Sequence, residues 1–299
     1  MIAANNKILK GMEIKSLEIK DRNYPYLLKE IPNPPDKIFF LGEFPNEKKP
    51  KIAIVGTRKA TNEGKILAQK WAKELSENGF IVVSGLAMGI DTAAHEGAIK
   101  TNGQTIAVLG NGLDEIYPAQ NQHLAEKILE LKGTIISEYP IGTPAFPSQF
   151  LERNRIVSGL CQAVIVIEAP IKSGALVTAR LAAEQGREVF ITPGPINHPN
   201  YQGSHKLIRD GARLITSLED IFDDLNIDIE QLKQNKQLST NIKDEKQLII
   251  WETVKNSGQP LSIDKIIEST KLDPQTVNQS IAILIIEGIL KEDKGKYSI

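Results

Sequence analysis

Arg58, Lys172 and Lys206 each stand in or beside a short turn rich in glycine or serine, and Arg153 and Arg155 flank Asn154. A guanidinium or ammonium beside unpaired backbone amides receives a phosphate, so the chemistry these residues offer is anion binding. Gly56-Thr57-Arg58 follows the β-branched run Lys51–Val55, and Thr61 can cap a helix with Glu63 in its first turn. The stretch Ile81–His95 repeats the form. Ile81-Val82-Val83 ends at Ser84 and Gly85, and an Ala-rich helix restarts after Gly89. Gly110-Asn111-Gly112 follows a third strand and leads to Tyr117-Pro118. Lys172-Ser173-Gly174 opens a helix after a fifth, and Pro193-Gly194 and Gly203-Ser204-His205-Lys206 close the sixth in the same style. Each turn alone is weak. Their recurrence at one edge marks a phosphate-binding rim.

The segment Phe146–Arg155 adds two arginines, with aromatics upstream at helical spacing. It offers phosphate forks and a ring for a base to stack on. Phe146, before a proline, is expected to be the exposed ring, and Phe150 to be core.

Asp91 and His95 lie four apart on one helix face, a spacing that could build a metal or acid–base pair. No second carboxylate or nucleophile falls in register with them. Asp91 is therefore expected to cap its turn and His95 to make a structural hydrogen bond. Neither G-x-G-x-x-G nor a Walker A sequence occurs, which argues against a dinucleotide cofactor and a P-loop. No cofactor, metal site or catalytic residue is expected.

These turns need a scaffold. Strands are expected at 51–56, 81–84, 105–109, 134–137, 163–167 and 188–191, with helices at 61–78, 89–102, 121–132, 146–160, 174–186 and 203–210 between them. Strict alternation implies parallel strands with right-handed crossovers, and hence an α/β, extended Rossmann-like doubly wound parallel sheet with its ligand at the strands' carboxyl ends. Residues 1–48, punctuated by Pro25, Pro32, Pro34 and Pro35, read as an extended preface to a main domain over 49–225. Residues 226–243 read as a polar linker. Residues 244–299 offer three helices and two short extended pieces, a small C-terminal winged-helix domain.

The chain has 299 residues, is 41% hydrophobic and carries a formal net charge of −1. That supports a full core, but offers no global attraction for nucleic acid, so a polyanion site must be a local pocket. One cysteine excludes an intramolecular disulfide framework and suits a reducing compartment. No apolar run of ~18 residues and no signal-peptide pattern is seen, so a soluble cytoplasmic protein without membrane contact is expected.

Taken together, Gly56-Thr57-Arg58, Ser84–Asp91 with His95, Gly112-Leu113-Asp114 with Tyr117-Pro118, Ser137-Glu138, Phe150 with Arg153-Asn154-Arg155, Ser173-Gly174 and Pro193-Gly194 closely resemble the DNA-processing protein A (DprA/Smf) family, from about residue 21 to 223. The resemblance implies a non-enzymatic protein that binds single-stranded DNA in a basic pocket. It also implies homodimers, and loading of the RecA recombinase onto incoming strands in natural transformation. By that resemblance Arg58 would hold a phosphate, the Ser84–Gly89 and Gly110–Gly112 turns would add amide contacts, and Arg153, Asn154 and Arg155 would shape the pocket. Relatives often carry a basic residue directly after Tyr-Pro, where this chain has Ala119, and the N-terminal helical domain of some relatives is expected to be missing.

The terminal module departs from a DNA reader. Residues 241–299 hold eight lysines against nine carboxylates, and Pro274–Glu287, in the place of a recognition helix, has no Lys or Arg. Phosphate neutralisation needs several cations, so the module is expected to contact protein, or to assist DNA binding through Lys291, Lys294 and Lys296. Two rival functions remain from the sequence. One is an enzyme of the nucleoside-monophosphate phosphoribohydrolase type, whose Pro-Gly-Gly-x-Gly-Thr signature is replaced here by Ser173-Gly174-Ala175 and Pro193-Gly194-Pro195. The other is a nucleotide-sensing scaffold.

Overall fold

The computed structural model describes residues 12–45, 47, 49–230, 242 and 244–298. The start of the preface and most of the expected linker lie outside the described residues. The chain divides into two compact units, Met1–Ile227 and Asp228–Ile299.

In the larger unit the elements follow one another as β1 (Lys15–Glu18), α1 (Tyr26–Lys29), β2 (Lys37–Gly42), β3 (Lys51–Val55), α2 (Asn62–Glu77), β4 (Ile81–Ser84), α3 (Ile90–Ile99) and β5 (Thr105–Leu109). They continue as α4 (Gln122–Glu130), β6 (Thr134–Ser137), α5 (Pro147–Gly159), β7 (Ala163–Val166), α6 (Gly174–Glu184), β8 (Glu188–Ile191), α7 (Gln202–Arg209), β9 (Arg213–Leu214) and α8 (Leu218–Asp224). Local chemistry sets many of the starts. The Thr61 hydroxyl accepts from the Gly64 amide at 2.9 Å, Ser173 accepts from Ala175, and Ser217 accepts from Asp220.

The nine strands form one sheet in the order β1-β2-β6-β5-β4-β3-β7-β8-β9. Neighbours among β3 to β9 pair in parallel. Strands β4, β5 and β7 are buried at every position, as a sheet covered on both faces requires. One face packs Ala53, Val83, Val108 and Val166 against Leu28, Ile156, Val157, Leu176 and Leu207, which lie on α1, α5, α6 and α7. Ala107, Leu109 and Ile135 meet Leu124, Ala125 and Ile128 of α4 on the other face. Burying each such aliphatic side chain contributes about 1.5–3 kcal/mol, enough to hold the strands in register.

The preface differs from expectation. Its β1 and β2 extend the sheet, with β2 antiparallel to β6 and β1 antiparallel to β2. The sheet is thus mostly, not wholly, parallel. The prolines that argued against long elements fall between these short strands, where they interrupt no ladder. The short β9 at the opposite edge was likewise not anticipated.

The smaller unit contains α9 (Glu245–Ser257), β10 (Leu261–Ser262), α10 (Ile263–Thr270), α11 (Pro274–Ile286), β11 (Lys291–Asp293) and β12 (Lys296–Ser298). Its strands order as β10-β12-β11, and its core gathers Ile250, Trp251, Val254, Ile266, Val277, Ile281 and Leu284. Lys294 and Gly295 both take positive φ, as a two-residue hairpin turn requires. Three helices with a small antiparallel sheet are the make-up expected of a winged helix. The exposed side of α11 carries Asn278, Gln279, Ala282, Ile283 and Ile286.

Candidate functional site

Strands β3 to β6 run outward in one direction from β3, while β7 to β9 run in the other, so the order reverses between β3 and β7. In an open α/β sheet the turns at such a point diverge and leave a crevice at the carboxyl ends. Here it holds a cleft of about 630 Å³. Gly56, Thr57 and Arg58 after β3, Gly85 and Ala87 after β4, Phe150, Arg153 and Asn154 of α5, and Lys172 to Ala175 at the start of α6 line it. A recess of about 90 Å³ opens beside it among Arg58, Met88, Tyr117, Pro118 and Phe150.

Helix α5 forms one wall because of how it begins. Pro147 occupies its first turn, and the Phe146 amide donates to the Gln149 side chain at 2.9 Å. Helical period then puts Phe150, Arg153, Asn154 and Val157 on the cleft face. The Arg58 guanidinium lies over the Phe150 ring, 5.4 Å from its centroid, and Tyr117 stacks on the same Phe150 ring at 5.2 Å and 29°. Among the described residues neither Arg58 nor Lys172 has an ion-pair partner. The opening of α6 adds its amide dipoles: Ser173 caps it, and the Gly174 carbonyl accepts from Asn154 Nδ2 at 3.3 Å.

Only one arginine of the expected fork reaches the cleft. Arg153 is 4% exposed, and its Nη1 donates to the Val108 carbonyl. Its Nε is buried without a hydrogen-bond partner at the cleft floor. Burial lowers its pKa to about 10, with the nearby Asp91 charge opposing, so it is cationic at neutral pH. Arg155 lies about 200° further round the helix from Arg153, and its Nη2 donates to Glu138 Oε1 at 2.5 Å. Arg155 therefore does not line the cleft, and the paired fork expected from the sequence is not formed.

The turn after β4 is also partly spent. Asp91 Oδ2 accepts from the amides of Gly85 at 3.1 Å and Ala87 at 3.4 Å. The turn supplies its own anion, and those two amides are not available to a ligand. Burial pushes the Asp91 carboxyl up, while Arg153 and the two amides hold it down. His95 is fully buried with its Nδ1 2.9 Å from Thr105 Oγ1. Gly85 lets Arg153 approach, since a Cβ there would meet Nη1 at 2.0 Å, and Gly89, at φ 87°, lets the second turn pack on the Thr57 and Arg58 carbonyls.

Several other expected contacts fall outside the cleft. The Ser84 hydroxyl donates to the Ile54 carbonyl at 2.7 Å. The Gly112 amide donates to the Thr143 carbonyl at 2.9 Å, which uses up that donor, and Gly110 packs beneath Phe150. Phe146 is exposed as anticipated but does not line the cleft, and Lys206 is exposed on α7 away from it. Phe150, expected in the core, is the ring that faces the cleft instead. Tyr117, Thr57 and Thr178 also line it, although none of them was assigned a binding role from the sequence. The signal for Phe150 was present in the sequence: it precedes Arg153 and Asn154 by three and four positions.

The site is an open cleft at the switch point of a doubly wound α/β sheet, lined by an arginine and a lysine that have no ion-pair partner among the described residues and by two stacked rings. The family model for DNA recombination-mediator protein A matches residues 15–226. The chain is 39% identical over 285 residues to Protein Smf of Synechocystis sp. (strain ATCC 27184 / PCC 6803 / Kazusa), covering 88% of this chain and 71% of that protein. It is 43% identical over 209 residues to Protein Smf of Escherichia coli (strain K12), covering 70% of this chain but only 56% of that relative's length. A solved structure of DNA processing protein A from Helicobacter pylori, described for its unique single-stranded DNA binding mode, superposes with a TM-score of 0.63. That match is 32% identical and covers 72% of this chain and 96% of the other. The chain belongs to the DNA processing protein A, or Smf, family of DNA recombination mediators.

Proposed function

We propose that this chain binds single-stranded DNA through the switch-point cleft, acts as a cytoplasmic homodimer without catalytic chemistry, and loads a RecA-type recombinase onto strands taken up in natural transformation. The observation that carries the reading is the juxtaposition in one cleft of Arg58 and Lys172, both without ion-pair partners among the described residues, with the N-terminus of α6 and the Phe150 ring. Successive phosphates meet Arg58, Lys172 and the Ser173–Gly174 amides, while bases meet the Phe150 and Tyr117 rings. Arg153 lies beneath them as a buried positive floor. Stacking tolerates any base, so the binding is sequence-independent. Two clefts in a dimer engage one strand together and multiply affinity. The module over 244–299 contacts protein, with its wing lysines Lys291, Lys294 and Lys296 as the only basic assistance to DNA from that hairpin.

The test is fluorescence anisotropy with a labelled single-stranded oligonucleotide, its duplex and a mononucleotide competitor, for wild type and Arg58→Ala across a salt series. Losing one phosphate contact makes the log–log salt slope shallower by about 0.7 for a single strand. Affinity at low salt falls by about tenfold or more, because a charge-assisted hydrogen bond is lost. If the mononucleotide competes as well as the strand, or Arg58→Ala changes nothing, the reading fails and turnover of small nucleotides is the next screen.

A further inference from the structure

We infer that Glu168 is the positioning residue that presents Arg58 to DNA, acting through the loop 57–61 and Asn200, an inference that rests on Arg58 meeting a phosphate as proposed above. Glu168 follows β7, is fully buried, and does not line the cleft. Among the described residues no cation pairs with it. A carboxylate in such a place is costly unless hydrogen bonds satisfy it. Four do. Oε1 accepts from the Thr61 hydroxyl and from Tyr201 OH at 3.2 Å, and Oε2 accepts from the Thr61 amide at 3.1 Å and from Asn200 Nδ2 at 2.7 Å.

Every one of these donors is neutral, and together they converge on the loop that carries Arg58. The Thr57 amide donates to the Glu168 backbone carbonyl at 2.8 Å, so Glu168 holds the loop at both ends. Asn200 Nδ2 also donates to the Lys59 carbonyl at 3.0 Å. Arg58 is thus flanked by two pinned residues, Thr57 and Lys59, while its side chain reaches over Phe150. The Thr61 hydroxyl that donates to Glu168 also accepts from Gly64 as the cap of α2. Gly64 is required to be glycine, since a Cβ there would sit 2.3 Å from Glu168 Oε1. Two carboxylate oxygens accept from all four donors as they stand; a carboxamide has one accepting oxygen. In Glu168→Gln the carboxamide oxygen can keep the Thr61 amide and Asn200, but its NH₂ then faces the Thr61 and Tyr201 hydroxyls, which must turn from donors to acceptors; the Thr61 hydroxyl, which already accepts from Gly64, loses its own acceptor, and the isostere loosens the Thr61 end of the loop. Holding a charged group in one geometry before its ligand arrives lowers the ordering cost of binding.

A double-mutant cycle tests this, using the full chain and labelled oligothymidine. Glu168→Gln and Asn200→Ala are each expected to weaken binding about five- to tenfold when Arg58 is present, and by no more than about twofold in the Arg58→Ala background. Amide hydrogen exchange at Thr57, Thr61 and Gly64 should quicken in Glu168→Gln while that of β3 is unchanged. Asn200→Ala, whose side chain is partly exposed, carries the cycle alone if Glu168→Gln does not fold. Equal losses in both backgrounds, or no loss in either, overturn the positioning role. If Arg58→Ala itself leaves binding unchanged, the DNA site and this inference fall together; if it weakens binding but the cycle is additive, only this inference falls.

Discussion

Acid should destabilise the larger unit through His95. Thr105 donates its hydroxyl hydrogen to the Val82 carbonyl at 2.6 Å, so His95 Nδ1, 2.9 Å from the same oxygen, must be the donor of that pair. The proton then sits on Nδ1, and Nε2 is left buried with no hydrogen-bond partner. Protonating Nε2 would create a charge in the interior beside another cation. Burial first, and the Arg153 charge second, lower the His95 pKa from 6.5 to about 3. The unfolded chain therefore holds a proton between pH 6.5 and 3 that the folded chain does not, and stability falls as the pH falls through that window. At pH 5, about 1.5 pH units below the ordinary imidazole value, the loss is about 2 kcal/mol. Urea unfolding at pH 7.5 and pH 5 measures it. In a Trp251→Phe background Trp71 is the remaining tryptophan, so fluorescence reports on the unit that contains His95. His95→Gln should lose about 2 kcal/mol less than its parent over the same interval. Asp91, raised by burial, shifts stability in the opposite sense, but it is present in both proteins and drops out of the difference. Equal losses in the two proteins would refute a neutral, buried His95.

Three further outcomes follow from the same geometry. Gly85→Ala places a Cβ against the Arg153 guanidinium, which is already bonded to Val108; it should cost about 1–3 kcal/mol in urea titrations and weaken single-strand binding in anisotropy. Arg155→Ala breaks the pair with Glu138 outside the cleft, so it should cost about 2 kcal/mol of stability while leaving single-strand affinity within about twofold of wild type. Cys161 is fully buried, and burial pushes its thiol far above the reactive range; an aromatic disulfide reagent should leave it untouched in the native protein and titrate one thiol after unfolding, as absorbance would record.

The candidate site was only partly legible. Arg58, Gly85, Arg153, Asn154, Lys172, Ser173 and Gly174 were singled out from the sequence, and the structure brings all of them to one cleft. Ser84, Gly89, Gly110, Gly112, Phe146, Arg155 and Lys206 were singled out on the same grounds and do not line it. A turn glycine looks the same in sequence whether its amide faces a ligand or, as in Gly112, a neighbouring carbonyl. Two arginines two positions apart look like a fork, yet on a helix they must diverge.

What the sequence determined by itself was local. Thr61, Ser173 and Ser217 cap helices through bonds that span two or three residues, and runs such as Ile81–Val83 make strands wherever the chain places them. Tertiary structure alone decided that β7 lies beside β3, that β1 and β2 extend the sheet, and that Phe150 rather than Phe146 faces the cleft. The bond from the Thr57 amide to the Glu168 carbonyl joins turns more than a hundred positions apart in the chain. Such contacts depend on which buried faces close together once the whole core has packed. No short-range pattern of residue types encodes that choice.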